Sequence, residues 1–418
     1  MKKLLTVALI AAMGIGSIFA SGSSESSKVD GPVTLTFMTN MTDIHAELLQ
    51  TICNEYEEET GNKVEFSAPG SSYEELMKTK MSANECPDLF TTHGWSVLRY
   101  SEYLEPINDL AWAGDINPQI KPVLTDDDGK MFVLPMDVDI AGIIYNETVL
   151  EEAGVNVDDI QTWDDFEMAC EKVKATGKDP IHMGGKDNWP IGQFFDWAAP
   201  SFFITNEKDN QRAQLISGEF NTDIWEEVAQ LMADMVAKGY FNRDSLTADY
   251  QSDLKALAGG TCAFGFYGNY AFNAAKAFNP NANLGLMPVP SKDASDVPTL
   301  ISGERTAVGV FKDSPNKAAA LDFLNYLAKA KNIQRIATAS SSPAGLTITT
   351  PDLGELKPYY DKYADVATFP YFDRAYLPSG MWDVMCATGA DILAEKPNAV
   401  ENAAKVMAEN FNDKYVER

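Results

Sequence analysis

Two hydrophobic periods divide most of this chain into short strands and amphipathic helices. Val33, Leu35 and Phe37 alternate with Thr34 and Thr36, which predicts an opening strand. After a polar loop over 39–43, Ile44, Leu48, Ile52 and Tyr56 recur at helical spacing, with Leu49 and Cys53 beside them. Asp43 is placed to cap that helix and Gly61 to end it. A strand over 63–67, a helix over 73–83 and a strand over 88–92 follow. Strand–helix–strand–helix–strand is the order of a parallel α/β sheet, whose ligands collect beyond the C-terminal strand ends. Those ends fall at 40–43 and 93–95.

The stretch 131–153, MFVLPMDVDIAGIIYNETVLEEA, breaks this rhythm. Residues 131–134 are strand-like, and Pro135 limits their pairing. Asp137 and Asp139 then alternate with Val138 and Ile140, giving an extended segment with an acidic edge. Residues 143–145 are strand-like again, and Asn146 caps a short helix that Gly154 closes. Two strands joined without a turn, with carboxylates between them, predict a passage from one lobe to another beside a polar cleft.

Further on, Thr162 and Asp165 form a capping box before a helix carrying Phe166, Ala169, Cys170 and Val173. Residues 182–203, dense in Trp, Phe, Gly and Pro, do not resolve into one regular element. A helix is expected over 222–238 and a strand over 259–266, followed by Tyr267-Gly-Asn-Tyr270 and a small helix. Another strand covers 284–289, and Pro288, Pro290 and Pro298 mark an irregular connection into 301–311. Ser314-Pro315 opens a helix expected to reach Ala330.

A chain of 418 residues with 45% hydrophobic content can bury two sizeable cores. Its net charge of −28 argues against nucleic acid and anionic membrane surfaces, which need clustered Lys and Arg. Lys2 and Lys3, an apolar run over 4–15 and small residues to Ala20 form a secretory signal, too short to span a bilayer comfortably. Cleavage near Ala20 leaves a Ser-rich tether over 21–32 and no Cys to acylate, so a soluble periplasmic or secreted protein is expected. Cys53, Cys86, Cys170, Cys262 and Cys386 have no metal-like spacing, and free buried thiols are their default state.

Four segments in register resemble the extracellular solute-binding proteins of ABC importers, in the sugar and oligosaccharide family. They are NECPDLFTTHGW (84–95), DGKMFVLPMDVDIAGIIYNETVLEEAGV (128–155), GGTCAFGFYGNY (259–270) and GERTAVGVFKDSPNKAAALDFLNYLA (303–328). The resemblance implies an α/β fold of two lobes with parallel-type sheets, joined by three hinge crossings near 137–141, 299–305 and 340–344. Lobe one would comprise 33–138 and 306–342, and lobe two 139–305 and 343–418. It also implies a monomer that hands its ligand to a membrane permease, with no cofactor and no catalysis.

A sugar offers flat C–H faces to aromatic rings and hydroxyls to Asp, Glu, Asn and Arg. Positions near the expected cleft loops nominate Asn40, Asp43, His93, Trp95, Asp137, Asp139, Trp189, Phe194, Tyr267, Asn269, Tyr270, Glu304, Arg305 and Trp382. Trp197 lies in the same irregular stretch. Asp137 and Asp139 stand equally well as ligand contacts or as hinge fasteners, and Arg305 as a salt-bridge partner. Other ligands remain open for the same fold: a polyamine, an amino-acid derivative or a metal. A secreted carbohydrate-active enzyme using Asp137 and Asp139 is the reading from another class. Asp126-Asp-Asp-Gly129 imitates a calcium loop without its later Glu, and a tight turn explains it.

Overall fold

The structure, a computed structural model, describes residues 31–92 and 96–415. The expected signal segment, most of the tether, and candidates His93 and Trp95 lie outside the described residues. Twelve strands form three sheets among those residues. They are β1 (Thr34–Met38), β2 (Lys63–Ser67), β3 (Leu89–Thr91), β4 (Val133–Pro135), β5 (Val138–Ala141) and β6 (Ile143–Asn146), then β7 (Asp179–Ile181), β8 (Cys262–Gly265), β9 (Leu284–Met287), β10 (Leu300–Glu304), β11 (Ala307–Val310) and β12 (Thr368–Pro370). The first lobe is built on the sheet β2-β1-β3-β11-β4 and the second on β7-β8-β6-β9. Between them lies a small hinge sheet, β12-β10-β5.

The stretch 131–153 supplies one strand to each sheet: β4 to the first lobe, β5 to the hinge and β6 to the second lobe. Pro135 still shares a register position with Ala307 of β11, since a strand end needs few ladder bonds. Neither lobe is wholly parallel. In the first, β11 runs against β3 and β4; in the second, β6 runs against β8 and β9. Both reversed strands directly follow a hinge strand. The other strands end toward the hinge side, so a strand arriving from the hinge starts where they finish and must run the opposite way.

Local signals explain most helix boundaries. Asn146 Oδ1 accepts the Val149 N–H at 3.1 Å and starts the helix Glu147–Glu152. Thr162 and Asp165 complete their reciprocal cap ahead of Trp163–Ala175. Asp126 Oδ1 accepts the N–H groups of Asp128 and Lys130, so the acidic loop is a turn holding its own backbone.

Three expectations change. The helix Asp43–Thr60 is rotated from its predicted face: Ile44 is half exposed, while His45, Leu49, Ile52, Cys53 and Tyr56 are buried. Residues within 182–203 do form a regular element, the helix Trp189–Phe203. Pro190 suits its first turn, and its nearly all-round apolar surface is buried, so no polar face betrays its period. The helix expected from Ser314 to Ala330 is shorter, Lys317–Leu327, and a further helix, Ala330–Ala339, follows extended backbone at Lys329.

Apolar packing forms two clusters, and the first continues from its own lobe through the hinge to Leu254, Leu257, Tyr267 and Phe272. The second surrounds Phe166, Phe194, Trp197 and Trp225. All five cysteines carry free thiols, four of them buried. Among the described residues, no helix is long and apolar enough to cross a membrane.

Candidate ligand-binding site

The hinge sheet has two chemically different faces. Gly303 of β10 stands opposite Asp139 of β5, and Glu304 stands opposite Val138. Neighbouring residues on a strand face opposite sides, so Asp139 and Glu304 point away from each other. Sequence spacing had grouped them in one site; the pairing separates them. Glu304 is buried, and burial raises its carboxyl to about 7 against the opposing pull of Arg374.

Asp137 is a fastener. One of its oxygens accepts the Thr306 N–H at 2.7 Å, and the other accepts the Ser340 hydroxyl at 2.8 Å. It is fully buried and bridges to Ala344, so it ties the first, second and third crossings together. Both oxygens are engaged within the protein, the hinge-fastening arrangement of the two expected for it. Arg305 Nη1 donates to Ser340 Oγ at 3.0 Å and lies 3.1 Å from His45 Nε2. Burial, then the Arg305 charge, holds His45 down to about 2, so its ring stays neutral.

Asp139 is different. Its Oδ2 accepts the Tyr371 hydroxyl, whereas its Oδ1 has no hydrogen-bond partner among the described residues. Burial raises this carboxyl, against the opposing charges of Arg305 and Arg374. The Arg305 guanidinium lies 4.9 Å from the Tyr270 ring centre and that of Arg374 lies 3.8 Å from the Tyr371 ring centre. A Cβ on Gly268 would come within 2.6 Å of Asp139 Oδ1 and 2.7 Å of Tyr270 Cε1. The unpartnered oxygen and the Tyr270 ring edge therefore both lie against Gly268. Asp139, Tyr270, Arg305, Tyr371 and Arg374 make one polar, aromatic floor at the hinge.

The remaining candidates divide. Asn269 is buried, its Nδ2 donating to Ser342 Oγ at 2.8 Å and to the Tyr360 hydroxyl at 2.9 Å, with Oδ1 unpartnered. Asn40 is half-buried beside β3 and accepts from Thr91 Oγ1 at 2.7 Å. Asp43 opens its helix, one residue after the cap position, and its side chain lies outside what is described. Tyr267 is buried with its hydroxyl on Asp253, so it supports Trp189 and Tyr250 rather than presenting a face. Trp189 stays half-buried, 4.8 Å from Tyr250. Phe194 is a correction: it is fully buried and packs on Phe266 and Phe195, because its helix is enclosed in the second core.

Trp382, half-buried, packs close to Gly192, and the adjacent Asp383 lies 4.0 Å from Lys78 of the first lobe. A second, partly buried link joins the lobes: Arg99 Nη2 to Asp373 Oδ2, at 2.8 Å. The Asp373 N–H also donates to Asp196, whose carboxyl burial and the Asp373 charge push up to about 7. Sequence reading passed over Tyr371, Asp373, Arg374 and His45, and took Ser340 only as the start of the third crossing. Their only signal was a Tyr-Phe-Asp-Arg cluster, and its partners lie some 230–275 residues away in the chain.

Two α/β lobes, a three-crossing hinge and a polar aromatic floor between them define a protein that encloses a small solute. The chain belongs to the bacterial extracellular solute-binding proteins, whose family model matches residues 39–334. The melibiose/raffinose/stachyose-binding protein MelE of Bacillus subtilis (strain 168) is 33% identical over 379 residues, covering 89% of this chain and 88% of MelE. A Bacillus licheniformis sugar transporter solved in complex with stachyose is 34% identical with a TM-score of 0.84, over 92% of this chain and 100% of that one. A Bacillus subtilis binding protein solved in an open conformation is 31% identical, with a TM-score of 0.82 over 92% of this chain and 98% of its own.

Proposed function

We propose that this chain is the substrate-binding component of an ABC importer and captures oligosaccharides of the melibiose–raffinose–stachyose series between its lobes. The floor of the hinge carries the reading. Asp139 Oδ1 is a buried acceptor without a donor, set beside the Tyr270 ring edge and flanked by two guanidinium groups. A buried acceptor is costly until a donor reaches it, and a sugar hydroxyl supplies one while the ring covers a C–H face. Arg305 and Arg374 repel a polyamine or a metal ion, so a neutral polyhydroxylated ligand fits better. The names of the similar proteins support the same choice.

In this reading the lobes comprise 33–138 with 306–342 and 139–305 with 343–418, and the ligand favours closure by its higher affinity for the closed form. The protein acts as a monomer outside the cytoplasmic membrane and passes its sugar to permease subunits without turning it over. Thermal shift and calorimetry with melibiose, raffinose, stachyose, a maltooligosaccharide and spermidine test this. Binding to the native state raises the melting temperature, so a shift with the raffinose series and none with spermidine is expected. A shift with spermidine alone would overturn it. Chromatography of bound sugar after long incubation should return it uncleaved.

A further inference from the structure

We propose that Tyr371 is a positioning residue that fixes Asp139 so that its free oxygen meets a ligand hydroxyl. This rests on the sugar-binding reading above and adds the residue that makes Asp139 selective. Tyr371 is buried, and its hydroxyl donates to Asp139 Oδ2. An aspartate with both oxygens free can rotate about its last bond and present either one; a hydrogen bond to one oxygen removes that choice. The phenol is itself held in place. The Arg374 guanidinium covers its ring at 3.8 Å, and Trp197 packs on it at 5.4 Å between centroids. Gly303, opposite Asp139 on the neighbouring strand, leaves room for it: a Cβ there would come 3.0 Å from both Tyr371 Cδ2 and Cε2.

The remaining oxygen, Oδ1, is the one without a partner, and Gly268 leaves room for both it and the Tyr270 ring edge. The Tyr371 hydrogen bond also favours the ionised carboxylate, opposing the rise that burial causes. A site of this kind selects a hydroxyl donor at one position of a sugar lying along Tyr270, and rejects a sugar that lacks that hydroxyl. Selectivity of this sort is steep, since the unmatched analogue leaves a buried carboxylate oxygen unpaired.

The test is a double-mutant cycle on the full chain by calorimetry with raffinose, using Tyr371→Phe, Asp139→Asn and the pair together. Tyr371→Phe is expected to weaken binding about tenfold, Asp139→Asn about thirtyfold, and the pair no more than Asp139→Asn alone, because Tyr371 acts through Asp139. Fully additive losses, or parent affinity in Tyr371→Phe, would overturn the proposal. Should Tyr371→Phe not fold, Gly303→Ala decides, since it keeps the hydroxyl and crowds the ring most, with Arg374 Nη1 next at 3.3 Å. Weakened binding there supports the positioning role, and unchanged binding sinks it. If the parent chain binds none of the raffinose series, the sugar reading has failed, which the cycle does not resemble.

Discussion

Asp137 and Asp139 sit two residues apart on the first crossing, on the same side of extended chain, and both are buried. Their surroundings nevertheless differ. The Asp137 region belongs to the first lobe and the returning third crossing, where Thr306 and Ser340 occupy both oxygens and His45 and Arg305 close the network. The Asp139 region belongs to the second lobe, where Tyr371 fills one oxygen and the other stands beside Tyr270 without a donor. Asp137 is hydrogen-bonded at both oxygens by its own chain, whereas one oxygen of Asp139 is buried without a donor among the described residues. The comparison teaches that acid identity and burial alone do not describe a carboxylate, and that the donors around it must be counted as well.

Asp137→Ala should have the largest effect. It strands the buried Thr306 N–H and takes the charged acceptor from the Ser340 hydroxyl, so stability should fall by about 3 kcal/mol in urea unfolding, with sugar binding lost as the hinge loosens. If Asp137→Ala were as stable as the parent, the fastener reading of that carboxylate would fail. Asp139→Asn should fold with a melting temperature near the parent's and lose about 2 kcal/mol of sugar affinity, some thirtyfold, by calorimetry. The two variants thus swap their deficits, one in stability and one in binding.

Arg99→Ala extends the contrast from the floor to the lobe-to-lobe contact. It removes the buried partner of Asp373 and leaves that acid near Asp196, so the closed form should lose ground. Affinity should drop about tenfold, or roughly 1.4 kcal/mol, with faster sugar release in stopped-flow measurements. The exposed Lys78–Asp383 pair is a control, and Lys78→Ala should change affinity less than twofold.

Glu304→Gln, apart from the Lys78 control, has the smallest effect and depends on pH. A carboxyl raised to about 7 in the folded chain holds a proton that the unfolded chain has already released above its ordinary value of 4.5. Stability from this group is present below pH 4.5 and lost as pH rises to about 7. Gln removes that loss, so the variant should be about 1 kcal/mol more stable than the parent at pH 8 and no more stable at pH 4. Melting curves at both pH values check it; a constant difference would mean that Glu304 does not titrate there.

How much of this was legible beforehand follows from the range of each interaction. The strand and helix order, the Asn146 and Thr162 caps, and the passage of 131–153 between lobes depend on neighbours within a few residues, so the sequence displays them. The helix Trp189–Phe203 escaped because a helix buried all round has no polar stripe. The face of Asp43–Thr60 was misjudged because the partners of buried His45, Ser340 and Arg305, lie 295 and 260 residues on.

The amino-acid order by itself determined the α/β architecture, the crossing strand and the presence of two acids beside a cleft, since periodicity and capping act locally. The tertiary structure alone decided which acid is satisfied, which face Glu304 takes, and that Tyr371, Arg374 and Arg305 converge on Asp139. Those choices depend on antiparallel register between β5 and β10 and on the return of the chain beyond residue 340. A one-residue change of register would turn Asp139 to the other face without altering any local pattern.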